Sequence, residues 1–102
     1  MNNNYITERI RSLKSCMRIP YKRINDKHFV RNSYFNAAVN LLLKMIDESK
    51  ISPAAIIAED FIKKMDEYSC ESRNNSNIFS IAKDAGEWVL DNIIYLQSNK
   101  GE

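Results

Sequence analysis

Residues 33–46 of the chain read SYFNAAVNLLLKMI, a stretch whose apolar side chains cover most of the circumference of an α-helix. A helix that is apolar on most sides belongs at the centre of a fold, because its surface needs neighbours in several directions. Asn32 or Ser33 can cap its start by accepting hydrogen bonds from the first-turn amides. The main apolar stripe of this predicted central helix comprises Phe35, Ala38, Val39, Leu42, Met45 and Ile46, and Leu41 and Leu43 widen it.

Two further stretches with helical apolar spacing follow the central helix. Ser52 and Pro53 mark the start of a third helix, since serine is a good cap and proline suits the first helical position. Asn75 or Ser76 can cap a fourth helix in the same way. Gly86 lies inside that fourth helix, where glycine costs about 1 kcal/mol relative to alanine. We therefore expect another helix to approach closely at Gly86.

The region before the central helix predicts one helix and one irregular segment. The first helix is expected over residues 4–17 and to end before Pro20, because proline disrupts helical geometry. Residues 19–32 mix apolar and basic side chains, and we predict a loop with a short helical turn there. The apolar residues of the first helix recur at steps of three and four on one face: Ile6, Ile10, Leu13 and Met17.

These elements predict an all-α fold, a small bundle of about four helices with an irregular segment around residues 19–32. Short connections favour an antiparallel arrangement. A chain of 102 residues suits a single helical domain over residues 1–102, and we find no repeat or linker that would divide it. Two glycines and two prolines are too few for a β-sandwich with its many turns.

Few residues of the chain can support catalysis or metal binding. The single histidine, His28, and the distant Cys16 and Cys70 cannot supply a tetrahedral zinc site. Both cysteines fall at the ends of predicted helices, whereas a helix start would favour a reactive thiolate. Two glycines cannot form a phosphate-binding loop. We therefore expect no catalytic residues, no metal, no cofactor and no enzymatic activity, with a cysteine-dependent enzyme as the alternative.

The third helix carries neighbouring carboxylates that resemble a catalytic pair, but helical spacing gives them a simpler role. Lysines lie four residues away, a spacing at which a surface ion pair contributes about 0.2–0.5 kcal/mol. We expect a solvated charged face with three pairs: Glu59–Lys63, Asp60–Lys64 and Lys63–Glu67.

The formal net charge of +2 conceals a division along the chain. Residues 1–36 hold eight basic and two acidic side chains, whereas residues 37–102 hold seven basic and eleven acidic ones. Residues 1–36, which we call the basic third, are predicted to form a surface that binds an acidic protein, nucleic acid phosphates or the chain's own acidic helices. The candidate binding surface consists of Arg11, Lys14, Arg18, Lys22, Arg23, Lys27 and Arg31.

Several apolar residues lie off the main helical stripes. Surplus apolar surface often forms an interface between copies of a chain, so a homodimer is one expectation. Cover by the segment at residues 19–32 is the alternative. The candidate interface residues are Leu43, Phe79, Leu90, Ile94 and Tyr95.

The sequence also favours a cytoplasmic location. Residues 1–9 contain no apolar run typical of a secretion signal, and residues 54–58, the longest apolar run, are too short to span a bilayer. Two cysteines that match no paired motif are expected to be reduced thiols in such a compartment.

The function that these observations favour is a small non-enzymatic interaction or adaptor protein of bacterial or mobile-element type, which binds a protein partner. A nucleic-acid-binding module that uses the basic third is the alternative. In length and helix number the chain also resembles the small four-helix immunity proteins that protect bacteria from their own bacteriocins. That resemblance is architectural and implies no particular site residue.

Overall fold

The computed structural model of the protein describes residues 3–16, 26–49, 52–71, 74 and 76–98. They form four helices: α1 (Asn3–Cys16), α2 (Asp26–Glu48), α3 (Ala54–Glu71) and α4 (Ser76–Ser98). The helices pack around one apolar core, and the described ranges contain no strand. The predicted all-α bundle is therefore confirmed. No helix within these ranges is long and apolar enough to cross a membrane.

The second helix begins at Asp26, earlier than the predicted caps Asn32 and Ser33. Residues 26–32 contain neither proline nor glycine, so nothing in their backbone chemistry interrupts a helix. The prediction of an irregular segment is corrected over these residues. Residues 19–25, the rest of that segment, lie outside the described residues.

The third helix starts where Ser52 and Pro53 predict it, with the cap one residue later than expected. The carbonyl oxygen of Pro53 accepts hydrogen bonds from the amides of Ile56 and Ile57, at 3.1 and 3.2 Å. Pro53 therefore occupies the N-cap position, where its carbonyl accepts the first helical bond and its missing N–H costs nothing. Before it, the hydroxyl oxygen of Ser49 accepts a hydrogen bond from the amide of Ser52 at 3.1 Å.

The centre of the bundle is formed by α2 and α4, each of which contacts all three other helices. Phe35 of α2 meets Trp88 of α4 edge to face, with ring centroids 6.2 Å apart. Leu43 is completely buried and belongs to this core. Its proposal as an interface residue is thus wrong, because the neighbours of α2 within the same chain already cover it. Fully enclosed core side chains include Ile6, Ile10, Val39, Leu42, Leu43, Ile46, Val89 and Ile93.

Helices α3 and α4 run antiparallel and approach closely. Asp66 pairs with Lys83, and further along α3 Tyr68 packs on Phe79, which is earlier in α4. A Cβ atom placed on Gly86 would lie 2.8 Å from Cγ1 of Ile62 and 3.0 Å from the Phe61 ring. The expected close approach at Gly86 is confirmed, since only glycine leaves room for these side chains.

Helix α1 is attached to the end of α2 by polar contacts as well as by its apolar face. The amide of the Asn3 side chain donates to the carbonyl oxygens of Ile46 and Ser52, at 3.3 and 3.1 Å. The buried hydroxyl of Thr7 donates to the Asp47 carboxylate. These bonds connect the start of α1 to the last turn of α2 and to the segment that joins α2 to α3.

Candidate interaction surfaces

The basic candidate surface is only partly described. Arg11 lies on α1 with 45% of its side chain exposed, and its guanidinium binds Asp47 of α2 at 2.7 Å. One basic group of the first third is thus paired inside the chain with an acidic group of the remainder. Lys14 occupies a helical position in α1, and Lys27 and Arg31 are helical residues four apart in α2. Arg18, Lys22 and Arg23 lie outside the described residues.

The candidate interface residues occupy different environments. Leu43 is in the core, as described above. Phe79 is half-buried against Tyr68, with ring centroids 5.3 Å apart. Ile94 and Tyr95 on α4 are 51% and 61% exposed. Leu90 is half-buried and lies beside a groove between α3 and α4.

This groove between α3 and α4, which we call the acidic groove, has a volume of about 410 Å³. Three carboxylates surround an apolar floor, and the described part of the chain holds no group of side chains suited to a metal ion. Carboxylates without such a cluster are ordinary solvated surface groups. The acidic groove is lined by Glu59, Ile62, Glu87, Leu90 and Asp91.

A more apolar groove runs between α2 and α3, and we call it the apolar groove. Its volume is about 250 Å³, and Phe61, which is 3% exposed, forms part of its floor. Leu41, Met45 and Tyr68 stand at its sides and are 53%, 37% and 43% exposed. The lining consists of Leu41, Met45, Ile57, Asp60, Phe61, Lys64, Met65 and Tyr68.

Sequence reasoning assigned Leu41 and Met45 to the buried side of the central helix and missed this groove. The run Leu41-Leu42-Leu43 contains the relevant signal, because successive residues point about 100° apart and cannot all face the same neighbours. Leu42 and Leu43 are buried and Leu41 faces outward. Periodicity alone does not show which side of an apolar helix is left uncovered.

The charged face of α3 differs from the prediction. Among the described side chains, Glu59–Lys63, Asp60–Lys64 and Lys63–Glu67 are not within ion-pair distance, and these residues are exposed. An exposed ion pair gains too little electrostatic free energy to offset the conformational entropy that two long side chains lose when they are held in one geometry. Asp66 instead accepts a hydrogen bond from Lys83 of α4 at 3.1 Å. This hydrogen bond, together with attraction to the same carboxylate, raises the pKa of Lys83 above 10.5.

Nothing in the described part of the chain assembles a nucleophile with a base. Cys70 is an exposed free thiol near the end of α3. Cys16 is the last residue of α1, and His28 lies in α2. The described titratable groups that line the apolar groove are Asp60, Lys64 and Tyr68.

No family model matches the chain, and searches of curated proteins and of solved structures found no match either. The likeness to bacteriocin immunity proteins therefore stays a resemblance in length and helix number.

Proposed function

We propose that this chain is a non-enzymatic protein-interaction module and that its partner docks on the apolar groove between α2 and α3. The observation that carries the proposal is the exposure of Leu41, Met45 and Tyr68 around a recess with an apolar floor. Contiguous exposed apolar groups mark binding surfaces more often than scattered ones. A tyrosine at the edge also suits an interface, because it offers a large apolar area with a polar end.

The size of the apolar contribution supports a protein partner. Complete burial of one large apolar side chain contributes about 1.5–3 kcal/mol. Leu41, Met45 and Tyr68 are each roughly half exposed, so covering all three would contribute about 3 kcal/mol in total. This corresponds to about a hundredfold in affinity, since 1.4 kcal/mol is tenfold. A protein surface with its own apolar groups can provide that cover, whereas a nucleic acid backbone cannot.

Nucleic-acid binding by the basic third stays a prediction with less support. Arg11 is the member of that set whose side chain is described, and Asp47 already binds it. Neutralised basic groups release fewer counterions and contribute less to phosphate binding.

The proposed module acts in a bacterial cytoplasm. The exposed free thiol of Cys70 suits a reducing compartment, because exposed thiols are readily oxidised outside it. The abundance of asparagine and isoleucine in the chain is compatible with an AT-rich bacterial or mobile-element genome.

Site-specific photocrosslinking in the cells that express the chain tests the proposal. A photoreactive residue at Met45 should trap a protein, and the added substitution Leu41→Glu should abolish the product by placing a charge beside the groove. The matched control is the same residue at Gln97, which is exposed on α4 and belongs neither to the apolar groove nor to the candidate interface. No product from position 45, or equal products from both positions, would contradict the proposed docking site.

A further inference from the structure

We propose that the apolar groove binds a second copy of this chain, so that the α3 helices of two copies pack antiparallel about a two-fold axis. This inference rests on the proposed function and identifies the partner protein as a second copy of the chain. The observation behind it is the arrangement of opposite charges on the α3 side of the groove. Asp60 and Lys64 both line the groove and are exposed, four residues apart.

Within the described part of the chain, neither Asp60 nor Lys64 has an ion partner, although their spacing allows them to pair with each other. Four residues of helix rise about 6 Å, so the two charges occupy successive turns. A surface with one acid and one base at this spacing is complementary to its own antiparallel image. Asp60 of each copy then faces the partner's Lys64, and two reciprocal ion pairs form.

The apolar lining of α3 obeys the same symmetry. Ile57 and Tyr68 lie near opposite ends of the groove, one on each side of the charged pair, and Phe61 lies near the centre. With the two-fold axis close to Phe61, Ile57 of each copy approaches the partner's Tyr68. An interface between identical surfaces needs this reciprocity, in which residue i meets j and j meets i. A parallel arrangement would instead place Asp60 against the partner's Asp60.

The dimensions predict a weak, concentration-dependent dimer. The 18 residues of α3 extend about 27 Å, and two neighbouring helices present a face of roughly 500 Å² at a spacing of about 10 Å. Stable complexes bury about 800 Å² per partner, so this face is at the low end. Apolar contact supplies the attraction, and the charges select the antiparallel register.

Sedimentation equilibrium of the full chain over micromolar to millimolar concentrations tests the inference. We expect a reversible monomer–dimer equilibrium that D60K or K64D alone weakens about tenfold or more, because each creates repulsion at two symmetry-related places. The charge swap D60K/K64D should restore the wild-type dissociation constant. The matched controls are E67K and K63D, which change charge by the same amounts on α3 outside the groove lining.

Mixing supplies a test that does not depend on the stability of any one variant. The D60K chain carries two positive charges beside the groove and the K64D chain two negative ones. An equimolar mixture should therefore form heterodimers more readily than either chain forms homodimers, while circular dichroism confirms that both are helical. A monomer at every concentration, or a dimer equally strong in all variants, would overturn the inference. If such a monomeric chain still crosslinks another protein from position 45, the proposed function stands without the dimer.

Discussion

Helix α3 packs against its two neighbours in contrasting ways. Towards α4 the backbones approach so closely that a Cβ on Gly86 would collide with Ile62. Beside this contact lies the acidic groove, whose rim carries three carboxylates. Towards α2 the same helix leaves the apolar groove of about 250 Å³, with exposed Leu41 and Met45 at its side. The close approach at Gly86 follows from side-chain size, since glycine permits close helix contact, whereas the two grooves differ in whether charged or apolar side chains line them.

Phe61 connects these two regions. Its ring contacts the position of Gly86 on one side and forms part of the floor of the apolar groove on the other. The close contact with α4 therefore fixes the residue on which a docking partner would rest. A rigid floor favours binding, because less conformational freedom remains to be lost when the partner arrives.

The largest effect should come from comparing Leu43 with Leu41, two residues apart on α2. Leu43→Ala is expected to lower the free energy of unfolding by about 2–5 kcal/mol, because truncating an enclosed leucine leaves a cavity. Leu41→Ala, on the groove side at 53% exposure, should cost about 0.5 kcal/mol or less.

Urea denaturation of dilute protein measures both values, since dilution keeps the proposed dimer from contributing. Equal costs for the two substitutions would contradict the assignment of Leu43 to the core and of Leu41 to the apolar groove.

Substitution at Gly86 should have a smaller effect and tests the close side of α3. Alanine gains about 1 kcal/mol of helix propensity over glycine. However, its Cβ would meet the Ile62 side chain at 2.8 Å and the Phe61 ring at 3.0 Å. Overpacking of this kind typically costs 1–3 kcal/mol, so we expect G86A to be destabilised by about 1 kcal/mol.

A double-mutant cycle separates overpacking from other effects of G86A. Ile62→Ala removes the nearest atom, so G86A should cost less, or become stabilising, in the I62A background. If G86A has the same cost in both backgrounds, contact with Ile62 is not its cause.

How far the sequence predicts this fold depends on the kind of signal available. Pro53 marks the start of α3 and Gly86 the close contact with α4, and both signals are local and chemically specific. The start of α2 at Asp26 escaped prediction because residues 26–32 show no clear apolar period, although they contain no helix breaker. Only packing against the rest of the chain decides whether such a segment is helical.

The candidate site was less predictable than the fold. The apolar groove depends on which side of α2 its neighbours leave uncovered, and this is a property of three helices together. The sequence assigns both Leu41 and Leu43 to the widened apolar stripe of α2 and also names Leu43 as a candidate interface residue, whereas Leu43 is completely buried and Leu41 is 53% exposed. Both residues are leucines in one apolar run, so no property of either side chain distinguishes them before the helices pack.

The smallest expected effect concerns the ion pair between Asp66 and Lys83, which spans the α3–α4 contact on its solvent side. The hydrogen bond to Asp66 raises the pKa of Lys83 above its usual 10.5. When the pKa of a lysine is higher in the folded chain than in the unfolded chain, its charge stabilises the fold fully at pH values below the unfolded-state pKa. This contribution is lost as the pH rises through the folded-state pKa. Wild type should therefore be slightly more stable than Asp66→Asn below pH 10.5, and the difference should shrink above it.

Urea unfolding of both proteins on either side of pH 10.5 measures this difference. Glu67→Gln is the matched control, because Glu67 lies on the same helix outside the lining of the apolar groove and has no ion partner in the described part of the chain. A difference that grows with rising pH would have the wrong sign for a raised lysine pKa. It would show that the ammonium of Lys83 does not help to hold α3 against α4, and that the apolar contacts at Gly86 and between Tyr68 and Phe79 make this side of α3 close.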